Sequence, residues 1–429
     1  MSGLGVVGAT LNTITFVFDV ADCVKQVIPK DEELLRPSGD DVGGSAAENP
    51  SASGVGTRGY PYRPLLSENQ IRLLLLEPLA PGPTQDSQPI CATLHHVEFD
   101  SESLSTRPYK ALSYEWEVRK YQFGKDYYYP FLMIDEYEES IRKEPKNVNP
   151  AILLDGHTVH IGKNLYHALK SIRHLENGTG DKSSLWLWVD TLCINQSDIQ
   201  ERGHQVRLMK RIYETAEMVL MWLGRGNTLT RMGMVAMNME PDDFEKLVAR
   251  EGLIWGELEG IRRICDMGYW RRVWILQEVV LARDYLVICN QDFISMEKFE
   301  RALRVLCQHA LNWRGFLRGL INRLPKTPAQ EIITWRNTKG TTSPLIEWLK
   351  ICVRCGFEST DQRDYVYALL GISDDCKGKI EPNYSRSAEE VYSSAIALIE
   401  DKAKGYNAIF CTNLAEFMGL DKWEATREV

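Results

Sequence analysis

The feature that most restricts the fold is the stretch over residues 185–224, LWLWVDTLCINQSDIQERGHQVRLMKRIYETAEMVLMWLG. Its first five residues are apolar and closed by Asp190, too short and too aromatic for a helix, and read as a buried strand. A polar loop follows, from Thr191 to about Arg202. Val206, Met209, Tyr213 and Ala216 then recur at helical spacing with Lys210, Arg211 and Glu214 between them, which predicts an amphipathic helix. Residues 218–223 are a second apolar run, ended by Gly224. Strand, loop, helix and strand in this order make a crossover unit, and two buried strands so joined run parallel. Ligands of such sheets bind beyond the carboxyl ends of the strands. Asp190, Cys193, Asn195, Gln196 and Arg202 fall in or beside that zone, either as ligand-binding residues or as plain loop and helix caps.

The 429 residues carry a formal net charge of −9 and no basic run, which argues against a nucleic-acid partner. Ten cysteines without a regular framework fit reduced thiols in a cytoplasmic protein. Cys352 and Cys355 form one C-x-x-C with no second pair or suitably spaced histidines, so no metal site is expected. No apolar run is long enough for an ordinary membrane span. Residues 156–163 have one position too many for a phosphate-binding P-loop, with Asn164 where Ser or Thr is needed. There is no G-x-S-x-G elbow.

Along the chain, Leu4, Val7, Leu11, Ile14 and Phe18 recur every three or four positions, which predicts an amphipathic helix over residues 1–30. It docks on another surface; membrane contact is the lesser alternative. This tract faintly resembles the opening helix of the HeLo-type cell-death domains of filamentous fungi. Residues 31–60 are rich in Gly, Ser, Ala, Asp and Pro and read as a disordered linker. Strands are expected at 71–76, at 94–99 and from 109 into a loop with Trp116. Residues 118–150 read as an irregular insertion, 152–161 as a hairpin, and Asn164 as the cap of a helix carrying Leu165, Leu169 and Ile172 on one face. The Met-rich, acidic region 225–262 reads as helices outside the sheet, and residues 296–429 as mostly helical.

Residues 268–282 predict one helix, on which Arg271, Trp274 and Glu278 share a stripe at i, i+3 and i+7, bordered by Trp270 and Gln277. Desolvation among tryptophans raises the pKa of Glu278, while Arg271 or Arg272 lowers it. The residues alone fit either a structural Arg–Glu pair or a carboxylate kept ionised in a dry cleft.

Three blocks together resemble the HET domain, the heterokaryon-incompatibility domain of filamentous fungi. They are Tyr109-Lys-Ala-Leu-Ser-Tyr-Glu-Trp116, then Leu187-Trp-Val-Asp-Thr-Leu-Cys-Ile-Asn-Gln196 with its following helix, then Trp270-Arg-Arg-Val-Trp-Ile-Leu-Gln-Glu278. The segment Arg363-Asp-Tyr-Val-Tyr-Ala-Leu-Leu-Gly371 resembles the region commonly found downstream. Glu117 departs from the family, which usually has Gly there. The resemblance implies a domain over residues 61–295 with a TIR-like, flavodoxin-like α/β fold: a parallel sheet flanked by helices, followed by the helical C-terminal region. Residues 191–205 would be the loop that gates the pocket.

By the same analogy Glu278 stands where TIR enzymes that cleave NAD carry their catalytic glutamate. Nicotinamide on a cationic ring nitrogen is already a good leaving group, so one carboxylate facing the developing oxocarbenium ion suffices. Tyr114, Trp116, Asp190, Cys193, Asn195, Gln196, Arg202, Trp270, Arg271 and Trp274 are the expected substrate-binding residues, with aromatics on the rings and arginines on the pyrophosphate. The implied function is a cell-death effector of fungal allorecognition that takes NAD as substrate without a tightly bound cofactor. It would self-associate as a dimer or larger assembly and answer to an allorecognition partner protein. The alternative is a non-enzymatic death-signalling module.

Overall fold

Three short strands meet at the centre of the sheet. β3 (Lys110–Tyr114) pairs parallel with β6 (Leu185–Trp188) on one side and with β7 (Met218–Trp222) on the other. The computed structural model describes residues 59–79, 88–100, 107–116, 149–178, 185–250, 252–310, 313, 315–339, 343–402 and 408–420. The expected N-terminal helix, most of the linker, most of the 118–150 insertion and Glu117 lie outside the described residues. Residues 54–429 form one compact unit.

The sheet has nine strands in the order β5-β4-β2-β1-β6-β3-β7-β8-β9. The remaining strands are β1 (Gln70–Leu76), β2 (Cys91–Glu98), β4 (Ala151–Leu154), β5 (His157–His160), β8 (Tyr285–Cys289) and β9 (Asp292–Ser295). The expected parallel sheet holds for the central four, β6-β3-β7-β8, and outside them only β2 and β4 pair parallel among the described residues. Numbered along the chain, those four stand second, first, third, fourth, the order of doubly wound flavodoxin-like sheets. The whole sheet is mixed, because β1 runs antiparallel to β6 and β2, β4 to β5, and β8 to β9. Local turn chemistry enforces two of these pairings. Asp155 and Gly156 both have positive φ (49° and 77°), as a two-residue hairpin turn with right-handed strand twist requires. Asn290, at φ 57°, serves the β8–β9 turn.

Sequence periodicity and packing agree on the helix Ile199–Thr215, whose Val206, Met209 and Tyr213 are buried, as is Ala216 just beyond it. The stretch before it is not the long polar loop expected. Residues Asp190–Cys193 already form a helical turn with Thr191, Leu192 and Cys193 buried. Asp198 then caps the next helix by accepting from the amides of Gln200 and Glu201, each at 3.0 Å. Glu201 is drawn onto the buried Arg72 (Oε1–Nη1 2.5 Å, Oε2–Nη2 3.0 Å) and accepts from the Asn195 amide at 2.7 Å. A segment held at both ends in this way has little freedom to act as a gate.

Residues 268–282 also depart from expectation. They form a 3₁₀ turn Gly268–Arg271, an extended Arg272, and a separate helix Ile275–Leu281. The break removes the common stripe of Arg271, Trp274 and Glu278. The short helix is buried on all sides. Three helices follow β7 (Thr228–Met237, Pro241–Ala249, Trp255–Cys265), with Met234 and Met237 buried as packing residues. Beyond β9 every helix-or-strand element of the described residues is helical, apart from isolated bridges. No helix among the described residues is long and apolar enough to cross a membrane.

Candidate active site

Asp190 and Trp116 leave the sheet at the same edge, just past the carboxyl ends of the parallel neighbours β6 and β3. The Trp116 indole donates to Asp190 Oδ2 at 2.8 Å, while its ring is 39% exposed. Asp190 Oδ1 accepts from the amide of Thr191 at 2.6 Å and from its hydroxyl at 3.1 Å. The Thr191 hydroxyl has given its proton to Asp190, so the Tyr114 hydroxyl bonded to it is the donor of that pair. Tyr114, Thr191 and Asp190 thus form a relay that ends on a half-buried carboxylate.

A second relay runs from the sheet to Glu278. Ser113 Oγ donates to Glu278 Oε2, and Tyr269 OH, 2.6 Å from Ser113 Oγ, is left to donate to Ser113. Glu278 is 2% exposed, and its Oε1 stands 3.5 Å from Nη2 of Arg272. Burial raises the pKa of Glu278, and the Arg272 charge only partly opposes it. Burial likewise raises Asp190, again against the pull of Arg272. Burial disfavours the Arg272 charge, but Glu278 and Asp190 together outweigh it and its pKa rises. One cation therefore serves two desolvated carboxylates. Its Nη1 is buried with no hydrogen-bond acceptor among the described residues.

Asn164 ties the edges of this site together instead of capping its helix. It donates to the Glu115 carbonyl at 2.6 Å and accepts from the Trp222 indole at 2.8 Å, joining the ends of β3 and β7. Gln196 donates to the Asp190 carbonyl at 3.0 Å and supports that turn. The Asn195 side chain accepts from the Ser197 amide at 3.2 Å. Cys193 is buried, accepts from the Val189 amide at 3.3 Å, and has its thiol pushed up to about 12 by burial; it is a packing residue.

The remaining expected ligands lie elsewhere. Trp270 is buried and stacked on Phe299 with ring centroids 5.7 Å apart. Arg271 pairs with Asp266 at 2.5 Å. Trp274 donates to Asp364 Oδ2 at 3.0 Å, and Arg202 lies 3.9 Å over the Tyr384 ring, so both join the C-terminal region. Arg272, not Arg271, is the partner of Glu278, because the 3₁₀ turn rotates one arginine outward and the extended residue after it inward. Ser113, Thr191 and Tyr269 were missed in the sequence. The one available signal was a serine inside the otherwise apolar, wholly buried end of β3.

Comparison with known proteins bears on the region just described. Residues 109–278 match the family model "Heterokaryon incompatibility protein (HET)", a span that begins at Tyr109 and ends at Glu278. The chain is similar to heterokaryon incompatibility protein 6, OR allele, of Neurospora crassa, with 24% identity over 273 residues. The aligned part is 51% of this chain and 39% of that relative, so the chain spans about two fifths of the length of the curated relative it matches. No solved structure matches the chain. The two matches and the three sequence blocks agree on residues 109–278 as a region similar to the heterokaryon incompatibility (HET) family.

Proposed function

We propose that the chain is a heterokaryon-incompatibility effector whose HET domain cleaves NAD at the edge formed by Trp116, Asp190, Arg272 and Glu278. The observation that carries the reading is the Arg272 guanidinium: it serves two desolvated carboxylates and keeps a buried nitrogen without an acceptor. An anionic ligand such as a pyrophosphate supplies that acceptor. The exposed Trp116 face offers a stacking surface for a nicotinamide or adenine ring at the entrance. The flavodoxin-like order of the central strands supports a TIR-like reading, since such sheets bind ligands at this edge.

In the proposed reaction the C–N bond to nicotinamide breaks, nicotinamide leaves with the bonding electrons, and water or a hydroxyl takes its place on the ribosyl carbon, releasing its proton to solvent. Asp190 meets the ligand first. Glu278, placed by the Ser113 relay, provides the negative charge for the oxocarbenium ion once Arg272 has moved aside. Self-association and an allorecognition partner protein belong to the proposal through the family resemblance alone; a long gating loop no longer argues for them.

The test is nicotinamide release from NAD by the purified full chain, with Asp190→Asn and Glu278→Gln beside it. Release by the parent and its loss in both variants is expected. A well-folded parent that releases no nicotinamide at any concentration sinks the enzymatic reading in favour of a signalling module.

A further inference from the structure

Glu278 raises a mechanical difficulty, because a carboxylate only 2% exposed cannot meet a ligand. Arg272, on the turn at residues 271–274, lies against its Oε1 at 3.5 Å, and the C-terminal region holds that turn at several points. Glu358 pairs with it through the main chain: its amide donates to the Arg271 carbonyl at 2.5 Å, and its carbonyl accepts from the Val273 amide at 3.0 Å. These two bonds flank Arg272, the residue that lies against Glu278. Asp364 takes the Trp274 indole at 3.0 Å and the Tyr384 hydroxyl at 2.7 Å on its two oxygens.

The same segment reaches the neighbouring elements. Tyr384 lies under the Arg202 guanidinium, on the helix that follows the Asp190 turn. Gly371 comes so close to Gln277 that a Cβ there would stand 1.9 Å from the amide nitrogen. Residues 357–384 therefore touch both the helix after Asp190 and the segment that carries Arg272 and Glu278.

We infer that residues 357–384 are an autoinhibitory lock: they hold Arg272 closed over Glu278, and their release uncovers the carboxylate for the ligand. This inference rests on the proposed NAD-cleaving site. The lock and the site fail differently, because the lock predicts motion of residues 271–281 whatever the ligand proves to be. Both Trp274→Phe and Tyr384→Phe delete one hydrogen bond to the Asp364 carboxylate and keep an aromatic ring in place, so either can be used if the other folds poorly.

The experiment reads hydrogen–deuterium exchange of the 271–281 amides and nicotinamide release from NAD, on full-length parent and variants. Both should rise about tenfold, the ratio that one hydrogen bond to a charged group is worth. Unchanged exchange overturns the lock whatever the activity does. Faster exchange with activity below the parent also overturns it, since the segment then positions Glu278 instead of restraining it. Faster exchange with no nicotinamide from any form upholds the mechanical coupling and removes the NAD reading.

Discussion

Nη2 of Arg272 stands 3.5 Å from Oε1 of Glu278, and both groups are largely out of water. A buried ion pair of this kind is weak evidence for stability in itself, because desolvation offsets the Coulomb attraction. Its bond to Ser113 and the influence of Asp190 on the same guanidinium place it at the centre of the proposed site.

Glu278→Gln separates a catalytic carboxylate from a structural one. The amide keeps the acceptor for Ser113 and removes the charge. If Glu278 faces the oxocarbenium ion, nicotinamide release falls by roughly two to three orders of magnitude. Arg272 loses one buried partner and retains Asp190, so a stability loss of about 3 kcal/mol or less is expected. Activity equal to the parent with only a lower melting temperature makes Glu278 an ion-pair partner and nothing more.

Arg272→Leu removes the cation that both carboxylates sense. Their pKa values, already raised by burial, then rise further. A raised carboxylate pKa in the folded state gives stability that is full at low pH and lost as pH climbs through the folded value. The variant is therefore expected to lose more stability at pH 8 than at pH 5. Denaturant titrations at the two pH values check this, and equal losses contradict the shared-cation arrangement.

Asp364 contributes a pH dependence of its own. Burial, then the nearby Asp361, raise its carboxyl from 3.8 to about 6, while the bonds from Tyr384 and Trp274 and the Arg202 charge oppose the rise. Arg363, drawn to Asp361, stacks at 5.2 Å from the Tyr384 ring. The folded value lies above the unfolded one, so this contribution is full below about 3.8 and fades as pH rises through about 6. Asp364→Asn should flatten that part of the stability profile between pH 4 and 7. A profile identical to the parent would show that Asp364 does not titrate there.

Cys193 should resist thiol reagents in the folded protein. Its thiol is pushed up to about 12, and the thiolate is the reactive form. Labelling with a disulfide reagent followed by peptide mapping should find Cys193 modified only after unfolding. Rapid native labelling would place it in an open cleft.

Trp116→Ala tests the mouth of the site without disturbing the core. The ring is 39% exposed, so the melting temperature should barely change, while binding of an aromatic dinucleotide weakens by about tenfold or more. A large stability loss with unchanged binding would make the Trp116–Asp190 bond a structural cap.

Features that depend on neighbouring residues were legible in the amino-acid pattern. Apolar runs of five or so residues marked β6 and β7, and 3.6-residue spacing marked the helix carrying Val206, Met209 and Tyr213, because strand and helix periods bury one side of the chain whatever lies opposite. Asp155-Gly156 marked the β4–β5 hairpin through its own backbone preferences. Tertiary structure decided everything that needed a distant partner. Glu201 ties down the loop between the Asp190 turn and the following helix by meeting Arg72, 129 residues away, and the Asn195 amide. Glu358 drew out Arg272 and broke the expected long helix, which sent Trp274 to Asp364 and Arg272 to Glu278. Ser113 became part of the site only because Tyr269 and Glu278 arrive over it from 156 and 165 residues on. A buried polar group must find its partners wherever the fold brings them, and no local pattern records which residues those will be.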